Sequence, residues 1–127
     1  MKRRGRSSNS LKTHRSTCPI TGSLDLFGDR WTLLVIRDLF VGKSRYGEFL
    51  TSSEGIPTNV LADRLERLEA LGIIESAPYQ QNPPRYAYSL TKKGKNLGPV
   101  IGALAVWGMH HLPKAQPSPK LMVMLKA

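Results

Sequence analysis

One face of a predicted helix carries polar side chains of the kind that form directional hydrogen bonds. Leu61, Leu65 and Leu68 recur at steps of four and three, so they share the buried face of this helix. The polar residues that point largely outward, or lie at the boundary between the faces, are Thr58, Asn59, Asp63, Arg64 and Arg67. Asn can pair with adenine, and Arg with guanine, through two hydrogen bonds in the major groove of DNA. The same pattern is typical of an ordinary solvated helix, and spacing alone does not separate the two.

Cations beside the neighbouring elements suit a second chemistry, the binding of phosphate. Arg45 and Tyr46 open a short predicted helix, where unpaired N–H groups and the helix dipole favour an anion; a surface cation and a half-buried core tyrosine are the alternative. Arg85 lies near the tip of a predicted hairpin and can reach the DNA backbone or minor groove, although any exposed turn is polar. Asp63 would repel phosphate, so we expect it to orient Arg67, four residues on, or to accept a hydrogen bond from cytosine.

A helix followed by a hairpin must position these residues. Pro57 suits the first position of the helix, which is predicted at 58–71, and Gly72 suits its end. Alternating apolar runs at 73–77 and 86–90 are separated by a polar segment, which predicts two strands joined by a long tip. A helix, a glycine stop and a hairpin form the second half of a winged helix-turn-helix.

Four further helices give a fold that is mainly α with a small β-hairpin. They are predicted at 19–27, 31–41, 45–52 and, for the last helix, 99–111. Asp29 is expected to accept a free N–H group at the start of the second of these helices, which is the most apolar and therefore central. Thr91 is expected to cap the last helical region, in which Pro99 predicts a kink or a restart.

Two apolar helix faces are predicted to join two copies of the chain. A domain of this size buries only about two-thirds of the surface of its unfolded chain, so oligomerisation would stabilise it. The apolar residues on the first and last helices are Ile20, Leu24, Phe27, Val100, Ile101, Leu104 and Trp107. Packing of the core or of a dimer explains the stripe around Trp107 better than a ligand pocket does. We expect a homodimer built from the first and last helices.

The positive charge is concentrated in the termini. The formal net charge is +10, yet residues 18–112 carry ten Lys and Arg against nine Asp and Glu. We therefore expect a basic flexible arm at 1–17, a domain at 18–112 and a Pro-containing C-terminal tail at 113–127. The arm is either a solvated terminus or a segment that lies along DNA phosphates. The apolar run at 121–125 packs on the domain or on a partner, and its sequence does not decide which.

Several classes of protein are disfavoured. No apolar run approaches the roughly 20 residues that cross a bilayer, and no apolar segment follows the basic start as in a signal peptide. One cysteine allows no internal disulfide, which favours a reducing, cytoplasmic location. His14, His110, His111 and Cys18 lack the spacing of metal ligands. No nucleophile–base pair, phosphate-binding glycine loop or suggestive carboxylate pair is present, so we expect no metal, no cofactor and no enzyme activity.

A series of short motifs in a fixed order resembles the HxlR family of bacterial transcriptional regulators. The motifs are Cys18-Pro-Ile, Gly28-Asp-Arg-Trp-Thr-Leu-Leu-Val-Ile-Arg-Asp-Leu, Arg45-Tyr-Gly-Glu-Phe, Ile56-Pro-Thr-Asn-Val-Leu-Ala-Asp-Arg-Leu, Gly72-Ile-Ile, Arg85-Tyr-Ala-Tyr-Ser-Leu-Thr-Lys-Lys-Gly and Leu104-Ala-Val-Trp. The resemblance covers residues 18–112. It implies a dimeric winged helix-turn-helix that binds palindromic promoter DNA, with an interface from the first and last helices.

Cys18 has two interpretations. Free cysteine is commonly buried and inert. Against this, Cys18 precedes Pro19 at a predicted helix start, and helix dipoles and neighbouring cations such as Lys12 and Arg15 lower a thiol pKa. The resemblance also implies a cysteine at this place in some members that respond to oxidants or electrophiles. We therefore expect Cys18 to be either structural or a site of reversible modification by an oxidant or electrophile.

The sequence as a whole favours a cytoplasmic, homodimeric, sequence-specific DNA-binding regulator of transcription. A nearly neutral domain keeps two other classes open. One is a winged-helix module that docks a protein partner through the same surface. The other is an RNA-binding protein that relies on its basic tails.

Overall fold

The computed structural model describes residues 16–126, which form seven helices and one two-stranded sheet. The expected basic arm lies outside the described residues except for its last two positions. In chain order the elements are α1 (Pro19–Phe27), α2 (Thr32–Phe40), α3 (Tyr46–Phe49), α4 (Thr58–Ala70), β1 (Ile74–Gln81), β2 (Pro84–Leu90), α5 (Lys92–Lys95), α6 (Gly98–His111) and α7 (Pro119–Lys126). The prediction of a mainly α fold with a β-hairpin is confirmed.

Helix α2 lies at the centre of the fold, as its apolar character predicts. Its Val35, Ile36 and Leu39 belong to one buried cluster. Other elements contribute the remaining buried members, which are Phe49, Leu61, Leu65, Leu68, Ile73, Ile74 and Ile101. The three leucines of α4 therefore face inward as their spacing predicts, and this fixes which face of α4 remains exposed.

The hairpin is longer than the sequence predicts. Gly72 ends α4 with a φ of +74°, a backbone conformation that glycine adopts without steric cost, and β1 begins two residues later. Antiparallel pairing then continues to Gln81 opposite Pro84, with an irregularity between Pro78 and Gln80. The prediction of a long polar tip is wrong. In a two-stranded sheet each strand is an edge, so a proline that lacks an N–H is tolerated within β1.

A short extended segment joins the helix-turn-helix to this hairpin. Arg45 forms a bridge with Ala87 of β2, and the N–H of Tyr88 donates to the carbonyl oxygen of Ser44 over 2.7 Å. Helix α3 therefore spans only four residues, rather than the predicted 45–52, because its expected first residue pairs with the sheet. The start of α3 and the hairpin are thus held together through the backbone.

The region after the hairpin follows the predicted capping and restart. The hydroxyl of Thr91 accepts from the N–H of Gly94 over 3.1 Å and caps α5. A Cβ at the buried Gly94 would overlap the carbonyl oxygen of Ile73, so only glycine fits there. Helix α6 then begins at Gly98 with Pro99 in its first turn, which confirms the expected restart.

The C-terminal segment is not a loose tail along its whole length. Pro119–Lys126 forms α7, where Met124 packs against the core and Leu125 lies beside Gly102 of α6. The apolar run therefore packs partly on the chain's own domain, although Val123 is 70 % exposed. Proline fixes its own φ but does not prevent a helix from starting after it, which accounts for the error.

Candidate nucleic-acid interface

The first half of α4 presents an exposed polar surface. Thr58, Asn59 and Asp63 are all exposed, as predicted. The hydroxyl of Tyr46, in α3, donates to the carbonyl oxygen of Thr58 over 2.9 Å. Tyr46 is itself 37 % exposed. The two helices of the helix-turn-helix are therefore tied together at the end where the exposed amide of Asn59 projects.

Arg64 faces the body of the protein instead of solvent. Its Nε donates to the carboxylate of Asp29 over 3.0 Å, and its Nη1 donates to Asp63 over 2.5 Å. Asp29 also accepts the backbone N–H groups of Trp31 and Thr32, which confirms its role at the start of α2. Burial raises the pKa of the Asp29 carboxyl, but hydrogen bonds from Thr32 and Arg64 outweigh it and leave that pKa lowered. Arg64 thus docks α4 against the loop between α1 and α2.

Arg67 also serves the fold. Its Nη2 donates to the carbonyl oxygens of Asp25 and Leu26 over 3.2 and 3.3 Å, at the end of α1. The expectation that Arg67 points outward is wrong, and so is the pairing of Asp63 with it, because Asp63 pairs with Arg64. A cation at the C-terminal carbonyls of a helix also interacts favourably with the helix dipole.

A carboxylate of α3 occupies two backbone N–H groups just before this helix. The Oε1 atom of Glu48 accepts from the backbone N–H of Ser44 over 2.8 Å and from that of Arg45 over 3.0 Å. The hydrogen bond from Ser44, which has the larger effect, and the one from Arg45 lower the pKa of the Glu48 carboxyl. Glu48 thus occupies the N–H groups that precede α3, and the binding of phosphate at this helix start stays a prediction, with the side chain of Arg45 as its cation.

Arg45 lies over an aromatic ring of the hairpin. Its guanidinium carbon is 4.0 Å from the centre of the Tyr79 ring, in β1. Arg45 remains exposed, and so does Arg85, which pairs with Gln80 next to the hairpin turn. The structure therefore leaves Arg45 and Arg85 as exposed cations on the helix-turn-helix and the hairpin.

A partly buried ionic network supports the turn between α3 and α4. Arg37 in α2 donates to both carboxylate oxygens of Glu54 over 2.9 Å and to Asp38 over 2.8 Å. The hydroxyl of Ser52 donates to Asp38 over 2.6 Å, and Lys43 donates to Ser52 over 2.6 Å. Because this network joins the central helix to the turn, it fixes the position of α4 relative to the core.

This network predicts an acid-dependent loss of stability. The hydrogen bonds from Arg37 lower the pKa of the Glu54 carboxyl from 4.5 to about 2. A carboxyl with a depressed folded-state pKa stabilises the fold above its unfolded-state pKa, and this contribution is lost as pH falls through the folded-state value. We expect the urea concentration at the denaturation midpoint of the wild type to decrease as the pH is lowered from 4.5 to about 2. Glu54→Gln should be less stable at pH 7 and lose less stability over that interval. Equal pH profiles of the two proteins in urea titrations would contradict this role.

The apolar faces of α1 and α6 are largely uncovered in the single chain. Ile20 and Leu24 are 69 % and 60 % exposed, and Leu104 and Trp107 are 56 % and 60 % exposed. Val100 is also exposed. Two residues of the expected interface lie elsewhere. Ile101 is buried in the chain's own core, and Phe27 is half-buried against that core. Because helix α6 is apolar on both sides, an apolar outer face remains exposed when Ile101 packs into the core.

Cys18 is exposed at the start of α1. Hydrogen bonds lower the pKa of the Cys18 thiol. In decreasing order of effect, they come from the backbone N–H of Thr21, the backbone N–H of Ile20 and the hydroxyl of Thr21. A lowered pKa favours the thiolate, which is the nucleophilic form. The buried interpretation of Cys18 is therefore wrong, and its reversible modification stays a prediction. Lys12, His14 and Arg15 lie outside the described residues.

The sequence pattern did not single out two residues of this surface. The pattern predicts that Tyr79 lies in a polar turn, whereas extending the alternation at 73–77 by two residues places it in β1. Glu48 lies three residues after Arg45, the spacing of a carboxylate that bonds back to a helix start. Within residues 16–126 no group of three or more His, Cys, Asp and Glu could hold a metal ion, and no helix there could span a membrane.

Comparison with known proteins identifies the class of this fold and surface. The HxlR-like helix-turn-helix family matches residues 26–116, and the chain belongs to this family of DNA-binding transcriptional regulators. The expectation from the sequence motifs is thereby confirmed.

Individual relatives carry the same description. An HTH-type transcriptional regulator of Mycobacterium tuberculosis is 40 % identical over 97 residues, which cover 76 % of this chain and 61 % of the relative. The regulator YybR of Bacillus subtilis is 34 % identical over 99 residues, which cover 78 % of this chain and 79 % of YybR. The chain thus spans about three-fifths of the length of the mycobacterial relative.

Solved structures include two with redox descriptions. The redox regulator HypR in its reduced form has a TM-score of 0.69 at 32 % identity, over 76 % of this chain and 95 % of its own. The reduced form of the regulator YodB of B. subtilis has a TM-score of 0.62 at 30 % identity, over 80 % of this chain and 100 % of its own. This chain is therefore similar in fold to winged-helix transcriptional regulators.

Proposed function

We propose that this protein is a cytoplasmic, homodimeric regulator that binds a palindromic operator in double-stranded DNA. The observation that carries the proposal is a continuous set of contacts from α4 to the hairpin. Thr58 is bonded to Tyr46, whose neighbour Arg45 stacks on Tyr79. This arrangement places the exposed start of α4 beside an exposed arginine and a wing, the geometry in which a reading helix enters the major groove.

The roles within this surface differ by chemistry. Asn59 and Thr58 face outward at the leading end of α4 and suit contacts with base edges. Asp63 is exposed beside them and can accept from cytosine while it also pairs with Arg64. Arg45 and Arg85 suit phosphate, where a cation gains by releasing counterions. Arg64 and Arg67 are assigned to positioning α4, since their donors are directed to the α1 region.

A two-fold symmetric dimer would account for a palindromic operator. The outer faces of α1 and α6 expose aliphatic and aromatic side chains that water does not solvate favourably. Pairing them across a two-fold axis would bury these faces and place the two α4 helices on half-sites about 34 Å apart, one helical turn of DNA. The role of the basic arm along DNA phosphates is part of the same proposal. The proposed domain begins near residue 18 and extends beyond the expected end at residue 112, because Met124 of α7 packs against its core.

In vitro selection from a random duplex library tests this function. The expected product is an inverted repeat whose half-sites are one helical turn apart, bound by two chains per duplex. A selection that enriches no duplex, together with equal or tighter binding to RNA, would contradict it and favour the RNA-binding class. Retention of a folded dimer without any nucleic-acid binding would favour a module that docks proteins.

A redox response of Cys18 is a finer part of the proposal. Cys18 is exposed, its thiol pKa is lowered, and it directly precedes α1, whose apolar face belongs to the proposed interface. The thiolate would attack a small-molecule disulfide, forming a mixed disulfide and releasing one thiolate. Because the group would be attached at the edge of the interface, we propose that it changes the spacing of the two reading helices.

Oxidant treatment of two proteins tests this response. Wild type exposed to glutathione disulfide is expected to gain one glutathione and change its operator affinity, with full reversal by a dithiol reductant. Cys18→Ser should bind the operator as the reduced wild type does and show no response. A modified wild type with unchanged affinity, or an equal response of both proteins, would show that Cys18 does not control operator binding.

A further inference from the structure

The wing holds Arg45 through both its backbone and its side chain. The backbone of Arg45 bridges to Ala87, and the adjacent Ser44 accepts from Tyr88. On the opposite strand, the Tyr79 ring lies 4.0 Å from the guanidinium carbon. An exposed arginine without such contacts samples many rotamers. The contact with Tyr79 therefore favours one orientation of the Arg45 guanidinium.

Contact with the Tyr79 ring is compatible with hydrogen bonding by the edge of the Arg45 guanidinium. A guanidinium can stack its flat face on the face of an aromatic ring. Its five N–H donors lie in the plane of the group and still point sideways. Glu48, the nearby carboxylate, accepts from the backbone N–H groups of Ser44 and Arg45. A stacked Arg45 can thus receive phosphate oxygens at its edge without leaving the ring.

We propose that Tyr79 is a positioning residue for DNA binding, acting through Arg45. The ring holds the guanidinium in the orientation in which its edge meets a phosphate, so less conformational freedom is lost on binding. The wing thereby contributes to affinity through its aromatic support of the helix-turn-helix, in addition to any contact of its tip. This inference rests on the proposed function, since it concerns the same DNA surface.

A double-mutant cycle on operator affinity tests the coupling. Tyr79→Leu should weaken operator binding about two- to fivefold, the range expected for an exposed cation–π contact. In an Arg45→Gln background the same Tyr79→Leu change should have no effect on affinity. Tyr79→Phe keeps the aromatic face and should retain most of the wild-type affinity. The salt dependence of binding should flatten in Arg45→Gln and be equally flat in the double variant.

Tyr86→Leu is the matched control. Tyr86 is a similarly exposed tyrosine of the same hairpin, 46 % against 41 % for Tyr79, but it is paired with Pro78 and not stacked on Arg45. Its effect on affinity should be the same with Arg45 and with Gln at position 45. Thermal melts of all variants show whether the hairpin remains folded.

Two failures are distinguishable. A wild type that binds no operator would overturn the proposed function itself. A wild type that binds, with effects of Tyr79→Leu and Arg45→Gln that simply add, would overturn only the role of Tyr79.

Discussion

Leu104→Asp is expected to convert the dimer into a monomer and to weaken operator binding by at least about 100-fold. Leu104 is 56 % exposed on the outer face of α6, so the aspartate can be solvated in the single chain. Burying the same carboxylate in a symmetric apolar interface would cost several kcal/mol and would place two like charges near each other. A monomer engages one half-site and loses the second set of contacts, while its non-specific binding remains.

Sedimentation and fluorescence anisotropy together measure this effect. The control is Val123→Asp, which places the same charge on an aliphatic residue of α7 that is 70 % exposed and outside the proposed interface. That control should remain dimeric, and both variants should keep the helical content of wild type. A wild type that sediments as a monomer at micromolar concentration, or a Leu104→Asp variant that stays dimeric, would contradict the proposed interface.

Asn59→Ala is expected to lower affinity for the cognate operator by about 1–3 kcal/mol and to leave non-specific binding nearly unchanged. Asn59 is exposed at the leading end of α4, so its loss does not disturb the core. Arg45→Ala should weaken cognate and non-specific binding alike, because a phosphate carries no sequence information. Equal specificity ratios for the two variants would show that the assignment of base and phosphate contacts is wrong.

Glu66→Ala is the matched control for the reading helix. Glu66 is exposed on the same helix but lies two turns beyond Asn59. Its replacement should change specificity little. A loss of discrimination as large as that of Asn59→Ala would indicate that base contacts extend along this face of α4 well beyond its first turn.

Local patterns predict the elements of this fold well. The spacing of Leu61, Leu65 and Leu68 identifies the inner face of α4, since a helix repeats every 3.6 residues. Capping chemistry identifies Asp29 and Thr91, whose capping bonds join residues no more than three positions apart. The glycine at 72 marks the end of α4 because its backbone conformation is local as well.

Partners that are distant in the sequence account for the errors at the site. Arg64 donates to a residue that is 35 positions away, and Arg67 donates to residues that are 41 and 42 positions away. The periodicity of α4 therefore could not show that these two side chains already have partners. Ile101 shares a helix with Leu104, but only the packing of α6 on the core separates the buried residue from the exposed one. The Tyr79–Arg45 stack depends on strand register, which a two-residue error in the hairpin obscures.

The exposed face of α4 remains the centre of this account, and its specificity ratio is the most direct measurement. Anisotropy titrations at two salt concentrations should compare the selected inverted repeat, a scrambled duplex of equal composition and an RNA of equal length. We predict binding to the inverted repeat at least 1,000-fold tighter than to the scrambled duplex, with an affinity that falls steeply as salt rises. Equal affinity for all three nucleic acids, at either salt concentration, would contradict a sequence-reading role for α4.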